Sequence, residues 1–169
     1  MNLNAYTLIV TYFMASLGLA AISLVESIGA AFTLAMAGAA AFTLALNLKG
    51  RRVIPGAIWN LLAVLVFAFF VADYLAFSGS LIVAAGRFLT ILLVLKLFDL
   101  ERNRDFVIAY AIVFFQILSA AASTSSPLFL LILSLFIIGA IWAMVLLNMK
   151  RDYQEAHPAE KGFPKVAFG

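Results

Sequence analysis

Two groups of residues in this chain have the types and spacing to do chemistry. The first is Asp73 and Arg87, with Glu26 as a third member, each set in or beside a long apolar run. A carboxylate and a guanidinium at such depth either neutralise one another or line a water-filled path for protons or substrate, because an unpaired charge in hydrocarbon costs at least about 2.5–3.5 kcal/mol. Asp73 is the simplest partner for Arg87, and Glu26 is its rival. The second group is the densest charge cluster in the chain, Lys96, Asp99, Glu101, Arg102, Arg104 and Asp105. Lys96–Asp99, Asp99–Arg102 and Glu101–Arg104 are each three residues apart, so mutual pairing on one helical turn is expected. Asp105 or Asn103 is placed to cap a following helix. The cluster therefore serves as a topology signal with caps, or as a docking point for a partner or another cytoplasmic segment.

Other reactive constellations are missing. The chain has no cysteine and a single histidine, His157, in a polar stretch, which argues against thiol chemistry, disulfides and a clustered metal site. No glycine-rich phosphate loop, serine–histidine–acid set or paired-carboxylate motif can be assembled, and no cofactor is expected. The net charge of +3 does not point to nucleic acid, since the basic residues stand singly or in short groups between apolar runs. Gln116 and Ser119 share one helix face, where interhelical hydrogen bonds are their expected use. Asn47, Asn60 and Asn148 fall near helix ends and read as interfacial, and Phe114 and Phe115 as packing.

The elements that must position these residues follow from hydropathy. The chain has 169 residues, 66% of them hydrophobic and 11% charged, with a mean hydropathy of +1.12. A soluble fold of this size cannot hide so much apolar surface, so the lipid bilayer is the expected solvent. A spanning helix needs about 20 mostly apolar residues. Six stretches qualify, about 3–24, 28–48, 57–77, 81–100, 105–122 and 127–148, which predicts an all-α, polytopic integral membrane helix bundle over 1–148. Residues 149–169 read as a polar cytoplasmic tail. The run from Leu3 to Val25 has no basic flank and exceeds the roughly 7–15 residues of a signal-peptide core, so it is expected to stay as a membrane helix. Pro127, behind Ser126, suits the entrance of the sixth helix.

Lysine and arginine concentrate in alternate connections: Lys49, Arg51 and Arg52 after the second helix, Lys96, Arg102 and Arg104 around the fourth-to-fifth elbow, and Lys150 and Arg151 after the sixth. This places both termini in the cytoplasm and turns Glu26, Ser78 to Ser80 and Ser123 to Ser126 outward. Trp59, Tyr74 and Tyr153 fall near the interfaces. The second helix repeats AAFTLA, at Ala30 to Ala35 and Ala40 to Ala45, with an offset that does not put the copies on one face. Its Ala31, Ala35 and Ala39 form a small-residue stripe able to admit a neighbouring backbone, with Ser16 and Ala20 of the first helix as the facing surface; alanine as ordinary filler is the plain alternative.

The stretch LLVLKLFDLERNRDF, Leu92 to Phe106, is followed by the Phe114-Phe115 pair and a short serine-containing turn into another apolar helix. It resembles the N-terminal membrane domain of the TgpA family, transglutaminase-like bacterial membrane proteins of the protein-glutamine gamma-glutamyltransferase type. In that family a helix ends in Leu-Lys, an acidic residue stands three positions later, and basic residues close on Arg-Asp. Lys96, Asp99, Arg104 and Asp105 occupy those positions, with aspartate in place of the more usual glutamate at Asp99. The turn Ser125-Ser126-Pro127 lacks the glutamine often found there.

The resemblance covers about Arg87 to Asn148 by motif and the first three helices by architecture. It implies a bacterial inner-membrane domain that in longer relatives precedes an extracytoplasmic Cys-His-Asp domain. Without cysteine, these residues cannot perform that acyl transfer. The expectation is a non-catalytic anchor or scaffold, either a fragment or a stand-alone domain working with a separate transglutaminase-like or other membrane partner. The alternative is a small transporter or channel using Asp73, Arg87 and Glu26, although neither broken helices nor inverted halves are evident in the sequence.

Overall fold

The computed structural model describes residues 3–48, 56–100 and 103–156. It contains six helices: α1 (Leu3–Ser23), α2 (Ala30–Leu48), α3 (Gly56–Asp73), α4 (Leu81–Phe98), α5 (Asn103–Ser123) and α6 (Leu128–Ala156). A 3₁₀ turn, Glu26–Ile28, joins α1 to α2, and a π-turn, Tyr74–Ser78, continues α3. Five helices, all but α3, are long and apolar enough to cross a membrane. In α3 the apolar stretch is the shorter Leu61–Ala76, which runs on into the π-turn. The π-turn closes on Gly79, whose φ of 58° is left-handed. Only a residue without Cβ takes that conformation readily, and it lets the chain reverse into α4 within two residues.

Hydropathy placed the helices but misplaced one boundary. α6 runs for 29 residues to Ala156 instead of ending near Asn148. The residues that follow Asn148 (Met149, Lys150, Arg151, Gln154, Glu155, Ala156) are mostly strong helix formers, so polarity ends the apolar run without ending the helix. At 1.5 Å per residue the helix is roughly 43 Å long, more than the ~30 Å hydrocarbon layer. Lys150 on the extension is buried, its ammonium 4.6 Å above the Phe106 ring of α5. At the other end of α6, Ser126 receives the amide of Phe129 on its backbone carbonyl and Thr124 Oγ1 accepts the amide of Ser126, with Pro127 between them.

The core gathers around α1, which packs against α2, α4, α5 and α6. Met14, Ala15, Ala21 and Ile22 of α1 meet Leu93 and Leu97 of α4, Val113 and Ile117 of α5, and Phe136 of α6 in one buried cluster. Close approach depends on missing side chains. A Cβ on Gly139 would press on Met14 Sδ and Phe13, and one on Gly18 would overlap the Gln116 side chain. α3, by contrast, packs along α4 and turns Leu61, Val64, Leu65 and Phe67 outward. α6 likewise exposes Leu130, Leu131, Ile137, Ile138, Ile141 and Trp142. Large apolar side chains facing outward on this scale fit a lipid solvent and not water.

Candidate functional site

Two ionic centres stand toward opposite ends of α4. At its start, Arg87 lies two turns into the helix and reaches across to Asp73 at the end of α3, Nη1 to Oδ1 2.9 Å. Its Nη2 donates to the backbone carbonyl of Ser27, also at 2.9 Å. The planar guanidinium offers donors in a fixed fork, so a single side chain ties α3, α4 and the 3₁₀ turn behind α1. Asp73 is only 4% exposed, and the π-turn begins directly after it. The expected Asp73–Arg87 pair is thus present. Glu26 is not the second partner: it is exposed and makes no ion pair with a described residue. The acceptor in that place is its neighbour's main-chain carbonyl, which no side-chain pattern signals.

At the far end of α4, Lys96 Nζ meets Asp105 Oδ1 of α5 at 2.7 Å. Asp99 stands at 3.7 Å from the same ammonium, and Arg104 Nε at 3.9 Å from Asp105 Oδ1. The same-turn pairing expected for Lys96 and Asp99 is there as a loose contact, while the short bond crosses to the next helix. Asp105 lies within the first turn of α5 and is buried, whereas Arg104 is 71% exposed. Glu101 and Arg102 lie outside the described residues, as do Lys49, Arg51, Arg52 and His157.

Between the two centres, polar side chains link helices in pairs. Gln116 of α5 is fully buried, and its Nε2 donates to Thr90 Oγ1 of α4 at 3.1 Å. Thr90 passes its own proton to the Gly86 carbonyl at 2.8 Å. Gln116 Oε1 has no hydrogen-bond partner and lies against Gly18 of α1. Ser119 Oγ donates to the Ile82 carbonyl at 3.1 Å. Gln116 and Ser119 therefore do bond across helices, as their shared face predicts. Asn47 is more than interfacial: its Nδ2 donates to Tyr12 Oη and to the Leu97 carbonyl, both at 2.8 Å, and Tyr12 in turn donates to Thr43. Thr11 and Tyr110 join α1 to α5 at 2.9 Å. Asn148 is exposed, and the side chains of Trp59, Asn60 and Tyr153 lie outside what is described.

The alanine stripe is a correction. Ala31 and Ala35 are exposed and Ala39 only partly covered, while α2 buries Thr33, Ala40 and Thr43. Ser16 and Ala20 do face α2, but across an open groove of about 420 Å³ whose far wall includes Ala37, Ala40 and Ala41. The threonines of both AAFTLA copies are buried, each with its hydroxyl bonded to a carbonyl three residues back. The two threonines lie about 80° apart around the helix and both fall within its inward side, which a count of small residues could not show.

Among the described residues no group of three or more histidine, cysteine, aspartate or glutamate side chains is placed to hold a metal ion. In comparisons with known proteins, the family described as the TgpA N-terminal domain matches residues 12–168, nearly the whole length. No curated protein and no solved structure matches the chain.

Proposed function

This chain belongs to the TgpA N-terminal domain family, a multi-pass membrane domain with several apolar helices of membrane length, and on that premise we propose that it acts as a non-catalytic membrane anchor and scaffold. Its work is to hold and orient a separate extracytoplasmic partner, of which a transglutaminase-like domain is the expected kind. In this reading all six helices cross a bacterial inner membrane, α3 with the help of its π-turn, and both termini are cytoplasmic. The Lys96–Asp105 elbow then lies on the inner face, and the Arg87 centre lies toward the outer one.

One observation carries the proposal. Among the described residues the buried ionic and amide groups between helices close on one another: Arg87 on Asp73 and Ser27, Lys96 on Asp105, and the Gln116 amide nitrogen on Thr90. A transport path needs such groups held open toward a ligand or water, whereas a scaffold needs them closed. Basic residues flanking α2, α4 and α6 at their C-terminal ends support the orientation. Reporter fusions at Gly50 and Asn103 are expected to stay inside the cell and one at Ser125 to emerge. Asn103 and Ser125 on the same side would end the topology. For the scaffold role, crosslinking in intact membranes followed by mass spectrometry is expected to recover an extracytoplasmic partner. Ion or solute flux in proteoliposomes that vanishes in Asp73→Asn would instead establish a transporter.

A further inference from the structure

α3 and α5 both pack along α4 without packing along each other, and a slot of about 170 Å³ remains between them. Its walls are Ala63 of α3 and Ile108 and Ile112 of α5, and its floor is Leu92 and Leu95 of α4. Lys96 and Asp99 close one end only. Along α4 the order is therefore Asp99, Lys96, Leu95, Leu92, a passage from charge to hydrocarbon over roughly 10 Å at 1.5 Å per residue. That gradient is the profile of one membrane lipid, with its chain in the slot and its headgroup at the charged end.

The charges at that end choose the headgroup. Lys96 shares its ammonium between the buried Asp105 at 2.7 Å and Asp99 at 3.7 Å, so its charge is offset and a phosphate approaching it would meet two carboxylates. Asp99 is the opposite case: its side chain is 36% exposed, and among the described residues its contact is Lys96 at 3.7 Å. A carboxylate with free acceptor positions beside an apolar slot recognises a cation that donates hydrogen bonds. We infer that the slot between α3 and α5 binds a primary-amine phospholipid, phosphatidylethanolamine in chemical class, through its ammonium on Asp99. A choline headgroup carries the charge without the N–H donors, and a glycerol headgroup carries hydroxyl donors without the positive charge. The inference goes beyond the scaffold reading and does not depend on which face is cytoplasmic. It requires only that the end of α4 lie in a headgroup layer, and the reporter fusions test orientation separately.

Native mass spectrometry of the full chain in detergent, titrated with ethanolamine, choline and glycerol phospholipids of identical chains, tests it directly. The ethanolamine lipid is expected to bind about tenfold more tightly, the worth of one hydrogen bond to a charged group. Asp99→Asn is expected to erase that preference while retaining lipid binding and the thermal melting point. Ala63→Phe, which fills the slot from a partly open helix face, is expected to remove the bound lipid of all three kinds. Equal binding of the three lipids by the unaltered chain would overturn the inference, as would an ethanolamine preference that survives Asp99→Asn or lipid binding that survives Ala63→Phe. Tightest binding of the anionic glycerol lipid would overturn it as well.

Discussion

Helix α1 is enclosed by α2, α4, α5 and α6, whereas α3 leans along α4 and turns much of its surface outward. As sequences both are long and predominantly apolar, without a charged residue before Asp73 at the end of α3. α1 differs by its small and hydroxylated positions: Thr7, Thr11, Ala15, Gly18 and Ala21 let four neighbours come close. α3 has bulky Leu, Val and Phe at half of its positions and is held at its end by the Asp73–Arg87 pair. In lipid, apolar surface gains nothing by facing another helix, so association follows close packing and polar contacts. A hub is a helix that others can approach, and hydrophobicity alone does not make one.

The strongest way to break this contrast is to give the hub a side chain where it has none. Gly18→Leu would overlap the Gln116 amide and force α5 away from α1. The expected loss is about 3 kcal/mol or more, at the upper end of overpacking costs, with the whole bundle affected. Thermal unfolding in detergent measures it. Pairing Gly18→Ala with Gln116→Ser is expected to recover part of the loss from Gly18→Ala alone. If Gly18→Leu melts like the unaltered protein, α1 is not packed as described.

A smaller and more local effect is expected at α3. Arg87→Met takes the guanidinium away from the buried Asp73 carboxylate. Breaking a buried pair costs about 3–5 kcal/mol, and partial solvent access at Arg87 reduces this to about 2 kcal/mol. Hydrogen exchange should rise in α3 and the π-turn while α1 and α5 stay protected. Reversing the pair with Asp73→Arg and Arg87→Asp is expected to rescue expression only in part, because the new carboxylate would face the Ser27 carbonyl. Full rescue would mean that the Ser27 bond contributes little; a uniform rise in exchange would mean that α3 is as central as α1.

The smallest effect sharpens the contrast on α2. Ala35→Leu lies on the exposed face and is expected to change stability by no more than about 0.5 kcal/mol. Thr43→Leu, at a fully buried position bonded to Tyr12, is expected to cost about 1–3 kcal/mol by overpacking. Melting curves of the two variants side by side would reveal an inverted face by an inverted order.

The charged residues were legible in part. Asp73 with Arg87 could be anticipated because two opposite charges stand at similar depth on consecutive helices, where neither is stable alone. Lys96 with Asp105 was harder, since Asp99 is three residues away on the same helix and looks the nearer partner. The first turn of α5 comes to rest beside the end of α4 and brings Asp105 onto Lys96, and that geometry has no signature in spacing. Glu26 failed as a partner for a related reason: a main-chain carbonyl competes with any side chain, and every residue carries one.

The sequence by itself determined that there are six apolar helices, that charge gathers at their ends, and to which family the arrangement belongs. Hydropathy is a local property, and the penalty for polar groups in lipid applies residue by residue. Only the tertiary structure decided which face of each helix turns inward. In a soluble protein the outer face would be polar and the inner one would stand out. Here lipid and core are equally apolar, so a pattern of hydrophobic residues holds no direction. The direction comes from glycine, alanine, threonine and a buried glutamine meeting across helices, contacts that exist only once the helices are assembled.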